Sequence, residues 1–177
     1  MPTLADSFWR DANVVPITED GLTSRVSKTT DGSNETDVIP LWRITGNIEV
    51  RALYGVVTTV LGSNQTAAYW RLNDQTAQVN ITLNTGTTVS SAAVGSLLVK
   101  KGLAAAALTL STSAAGRITE PTTLETLYHS PFVIVAKNGA NTDIEYVYTT
   151  TTEPTSGVIE FFLRWLPLSS DAAVTAQ

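Results

Sequence analysis

Apolar and polar residues alternate in short runs along most of this chain, and turn-forming clusters separate the runs. Val38-Ile39-Pro40-Leu41-Trp42-Arg43-Ile44-Thr45 ends at Gly46-Asn47; Ile48, Val50 and Ala52 then alternate with Glu49 and Arg51. Successive side chains of a strand point to opposite faces, so the second run reads as a strand with one buried and one wet face. Tyr54 to Leu61 continues as a β-branched run after Gly55, where a bulge is expected, and Gly62-Ser63-Asn64 closes it. Tyr69 to Leu72 predicts a short strand. Val79, Ile81 and Leu83 then alternate with Asn80, Thr82 and Asn84 up to the Thr85-Gly86 turn.

Leu97 to Leu110 carries two signals. Leu103 to Leu108 holds good helix formers, but Gly102 interrupts them and Leu108-Thr109-Leu110-Ser111 alternates like a strand. Two strands around a Lys101-Gly102 turn are the expectation. Residues 112–131 read as a loop, with one short helical turn at Leu124 to Tyr128. Phe132-Val133-Ile134-Val135-Ala136 is a compact apolar strand, Ile144 to Thr149 is another, and Val158 to Leu166 reads as the longest, ended by Pro167. Short strands with regular turn signals predict an all-β fold, either an antiparallel β-sandwich or a jelly-roll-like barrel.

The first 37 residues differ from the rest. They carry 10 of the 27 charged residues and the turn signals Asp20-Gly21 and Asp31-Gly32-Ser33-Asn34, without a long periodic pattern. They read as an extended N-terminal arm ahead of one domain, residues 38–177. Phe8-Trp9-Arg10 and Val14-Val15-Pro16-Ile17 are its apolar points, and such side chains need an apolar partner. That partner is either the chain's own domain or another subunit. An arm of this length spans on the order of 100 Å when extended.

Composition narrows the function. With no cysteine, the chain has no disulfide framework and no thiolate chemistry; one histidine does not build a His-rich zinc site. A formal net charge of −5 argues against nucleic acid as a partner. The start, MPTLADSFWRDANVV, does not read as a secretion signal, and the uncharged stretch Gln75 to Val99 is too rich in Thr, Asn and Ser to cross a membrane. Thr (28 residues) and Ser (14) keep strand faces wet without charge, as the low charged share of 15% requires.

No residue pattern predicts catalysis, a cofactor or a metal. His129 beside Ser130 lacks a nucleophile elbow. Asp31, Ser33, Glu35 and Asp37 alternate like calcium ligands, but Gly32 falls in the wrong place for an EF-hand. Asn34, Asn64 and Asn80 head Asn-x-Thr triplets of the kind a Thr-rich chain produces by chance. Lys100-Lys101 reads as a solvated turn. Trp42 and Trp165 sit in apolar strands as core or subunit-contact residues; Trp70, beside Arg71, is the better candidate for an exposed, sugar-stacking ring. The candidate protein-contact residues are Phe8, Trp9, Arg10, Ile17 and Trp165.

An arm leads into Leu41-Trp42-Arg43-Ile44-Thr45-Gly46, Ile48-Glu49-Val50 and Tyr54-Gly55-Val56-Val57-Thr58-Thr59. The chain closes with Gly157-Val158-Ile159-Glu160-Phe161-Phe162-Leu163-Arg164-Trp165-Leu166-Pro167-Leu168-Ser169 and a small acidic–alanine tail. This layout, over roughly residues 38–175, resembles decoration (cement) proteins of tailed bacteriophage heads. The resemblance implies a non-enzymatic virion protein on the capsid exterior. It would be commonly a homotrimer, bound to the major capsid protein and holding neighbouring capsomers together. It supplies no active-site residues. A tail, baseplate or fibre component and a carbohydrate-binding β-sandwich module are the alternatives.

Overall fold

A computed structural model describes residues 21–30, 36–63, 65–84, 88–100, 105–111, 131–150 and 157–177. Among them, β1 (Leu22–Thr30), β2 (Thr36–Thr45), β3 (Asn47–Thr59), β4 (Gln65–Asn73), β5 (Gln78–Asn80), β6 (Leu97–Val99), β7 (Thr109–Ser111), β8 (Phe132–Val135), β9 (Thr142–Thr150), β10 (Gly157–Pro167) and β11 (Ala173–Ala176) form two antiparallel sheets. The first runs β1-β10-β3-β6-β7, with β8 beside β6 on the same edge of β3; the second runs β11-β2-β9-β4-β5. The pairs β4·β5, β3·β6, β2·β9 and β1·β10 nest inside one another and alternate between the sheets. Two packed antiparallel sheets make a β-sandwich, the first of the two expected architectures, and the nested pairs give it jelly-roll connections.

Alternation fills the space between the sheets. Ile48, Val50, Leu53, Leu98, Ile134, Phe161 and Leu163 face Trp42, Ile44, Trp70, Ile144, Tyr146 and Tyr148 in one core. The ring of Tyr146 lies 5.1 Å from Phe161 and 5.7 Å from Tyr148, and Trp70 meets Phe161 edge-on at 6.5 Å. Each such ring is worth roughly 1.5–3 kcal/mol of transfer free energy.

Bulges let the strands curl around this core. Arg164 faces Ala52 and Trp165 faces Val50, which leaves Arg51 as the extra residue; Thr58 is extra in the same way. Gly55, the expected bulge, instead pairs regularly with Phe161. In β2 the extra residue is Leu41, and Leu41 and Trp42 are both buried. β3, with 13 residues, exceeds β10, with 11, so the last apolar run is not the longest strand.

Residues 22–30, read from sequence as part of the arm, are a full edge strand of the first sheet. Leu22 to Thr30 pairs residue by residue with Trp165 to Gly157. The boundary at residue 38 falls inside β2, which starts at Thr36. Only Leu22 and Val26 are apolar among the inward positions of β1, so its alternation is faint in the sequence. The acidic–alanine tail also contains a strand, β11, on the edge of the second sheet beside β1. There Lys28 Nζ donates to the Gln177 carbonyl and ties the two edges together.

Candidate interaction surface

The outward face of the first sheet has two parts. At one, Tyr54 and Phe162 stack with centroids 4.9 Å apart and planes 8° from parallel. Arg25 of β1 lies 5.9 Å from the Phe162 centroid and bonds Glu160. These contacts tile the sheet face with half-buried Tyr54, Phe162 and Glu160 beneath an exposed Arg25.

The other part is apolar and open. Ile48, Val50 and Ile134 point into the core, so their neighbours point out. Glu49 sits between Leu166 of β10 and Val133 of β8. One step along, Asn47 faces Val135, and its carbonyl accepts the N–H of Leu168. Val133, Val135 and Leu168 are 57%, 66% and 51% exposed, and Leu166 is half-buried. Four aliphatic side chains thus surround one polar column, where Glu49 is engaged by Arg51 Nε at 3.1 Å.

The chain enters the sandwich beside this corner. Gly21, just before β1, has φ +73°, and a Cβ there would come within 2.7 Å of the Trp165 carbonyl oxygen and 3.2 Å of Leu166 Cδ2. Only glycine takes this backbone so close to β10. Gly21, the residue next to segment 1–20 in the sequence, therefore sits at the edge of the apolar corner.

A cleft of about 650 Å³ opens at the same end, lined by the β2–β3, β4–β5, β8–β9 and β10–β11 connections. Asn47, Gln75, Lys137, Asn138, Asn141 and Asp171 are among its polar walls, and among the described residues no aromatic ring lines it. At its rim the Asp74 carboxylate accepts the N–H groups of Thr76 and Ala77 at 2.9 and 2.6 Å and the Thr76 hydroxyl at 2.9 Å. These bonds, with Lys137 nearby, hold its carboxyl below the usual range. Arg43 grips Asp143 through two bonds of 2.9 and 3.2 Å, which raise its already high pKa.

The residues singled out from sequence fall differently. Phe8, Trp9, Arg10, Ile17 and His129 lie outside the described residues, as do Asp31, Ser33 and Glu35. Trp165 is only 6% exposed: β1 covers it, and its Nε1 donates to Ser24 Oγ at 3.1 Å. Trp70 is fully buried, not exposed, because its inward register opposite Tyr146 carries it into the aromatic core. A sugar platform built on Trp70 is therefore absent. Lys100 is buried rather than solvated; its Nζ lies 4.9 Å from the Phe132 centroid, and burial lowers its pKa. An unbroken apolar run such as Phe132 to Ala136 does not mark which face of the strand is exposed, so the sequence does not single out Val133 and Val135.

Among the described residues, no group of three or more His, Cys, Asp or Glu is placed to hold a metal ion. Comparison with family models, curated proteins and solved structures finds no match to this chain.

Proposed function

We propose that this chain is a non-enzymatic decoration protein that attaches to the outside of a tailed-bacteriophage capsid and ties neighbouring capsomers together. One observation carries the reading: the β-sandwich presents an apolar corner, exposed among the described residues, at the place where Gly21 connects to residues 1–20. A platform with a tether suits attachment to a repeating lattice, where several modest contacts act together. Jelly rolls recur in viral structural domains, an analogy of fold that supports the reading without carrying it. The acidic balance suits a capsid exterior better than a DNA-facing interior.

On this reading Phe8, Trp9 and Arg10 contact the major capsid protein. The test mixes the purified protein with capsids assembled without it from the major capsid protein of the same phage. Co-sedimentation and particle images should show density at fixed lattice positions, and Trp9→Ala should weaken binding about tenfold or more. Light scattering on the same sample tests the homotrimer that the resemblance implies. Absence of capsid binding, or density only on tails, would overturn the assignment.

A further inference from the structure

We infer that Val14, Val15 and Ile17 dock on the apolar corner formed by Leu166, Leu168, Val133 and Val135 of the same chain. The inference concerns the free protein and does not depend on what the protein decorates.

Exposed aliphatic side chains on neighbouring strands make a contiguous patch rather than scattered singles, and such patches mark contact sites. The occupant follows from where the chain leaves the sandwich. Gly21 abuts Leu166 at one side of the corner, and its left-handed φ sets the point of departure. From β10 across β3 to β8 the corner is two strand spacings wide, about 10 Å. Ile17 is four residues upstream of Gly21 and Val14 seven. Extended chain covers roughly 13 Å over four residues and 23 Å over seven. The cluster is thus within reach of the whole corner, with little slack to go elsewhere first.

The cluster also suits an extended seat. Pro16 fixes its own φ and disfavours the helical region for Val15, and β-branched valines have few rotamers to lose. Little conformational entropy then opposes docking. Once Ile17 is seated, Phe8-Trp9-Arg10 lies only a few residues beyond the far side of the corner, available to a partner.

The chain has no cysteine, so an engineered pair provides the only thiols. Ile17→Cys combined with Val133→Cys should form a disulfide under mild oxidation and stay at the mass of one chain on non-reducing gels. Ile17→Cys with Val94→Cys, which is exposed elsewhere on the molecule, should not. A disulfide only between chains would overturn the same-chain assignment and give the corner to a neighbouring copy. No disulfide with Val133→Cys would overturn the docking itself. A second measurement needs no pair: the thiol of Ile17→Cys should be labelled about tenfold faster when Val133→Ser and Val135→Ser are added. Equal labelling rates would also overturn the inference.

Discussion

The ring of Phe161 occupies the space directly over Gly55 on the neighbouring strand. A Cβ at residue 55 would lie 3.1 Å from Phe161 Cδ1 and 3.0 Å from Ile159 Cγ2. The missing side chain lets the ring settle against the β3 backbone and still reach Tyr146 and Trp70 across the core. Gly55→Val should therefore lower stability by about 1–3 kcal/mol, the usual cost of overpacking. Chemical denaturation should show a lower midpoint with an unchanged slope. A variant as stable as the parent would mean that the ring has free space to move into.

Arg71 and Glu145 form the most enclosed ion pair among the described residues. Their side chains are 12% and 8% exposed, with Nε to Oε2 at 2.6 Å, and Asn73 Nδ2 bonds the other carboxylate oxygen at 3.0 Å. Arg71→Met leaves a buried carboxylate with one partner and should cost about 3 kcal/mol. Arg71→Met with Glu145→Leu removes both charges and should recover most of that loss. If the double variant is no better than Arg71→Met alone, lost packing rather than a stranded charge explains the cost.

Asp74 contributes to the behaviour in acid. Bonds from Thr76 and Ala77 place its folded-state pKa below the ordinary 3.8. On acidification the unfolded chain takes up this proton first, so the stabilising effect is complete above 3.8 and fades as pH falls through the lower, folded value. The gap in urea midpoint between the parent and Asp74→Ala should stay constant from pH 7 to about 5 and shrink below 3.8. A gap that is unchanged at pH 3 would show that the turn does not depend on the ionised carboxylate.

Long alternating runs were readable because burial acts on every second residue. β3, β9 and β10 follow from the apolar positions alone, and so do β6 and β7; the Lys101-Gly102 turn expected between them lies outside the described residues. Four features are not readable. β1 presents only Leu22 and Val26 inward, and its place depends on a ladder with a strand more than 130 residues away. Bulges at Leu41, Arg51 and Thr58 are settled by the curl of paired strands rather than by local residue type. Trp70 looked exposed beside Arg71, but in a strand the neighbour of a surface residue is the one that points inward. The apolar corner is hidden for the converse reason: nothing in Phe132-Val133-Ile134-Val135 says that one face of β8 stands exposed among the described residues.

The placement of β1 determines where the chain divides. A chain starting at Gly21 retains the ladder from Leu22–Trp165 to Thr30–Gly157 and should fold cooperatively. One starting at Val38 loses that ladder and uncovers Trp165. It also strips Trp165 Nε1 of its bond to Ser24, and Gln65 Nε2 of its 2.9 Å bond to Thr30 Oγ1. Leu22 and Val26 each contribute up to roughly 1.5–3 kcal/mol of apolar burial. The combined loss is several kcal/mol, comparable with the whole net stability of a domain, about 5–15 kcal/mol. The Val38 form should therefore melt without a cooperative transition and bind hydrophobic dyes, while the Gly21 form should not. Trp165→Ala should fail in the same direction, by about 3–5 kcal/mol, because the ring is a core residue of its own protomer. Cooperative melting of the Val38 form at an unchanged temperature would show that β1 is a dispensable strap and that residues 1–37 act as one arm.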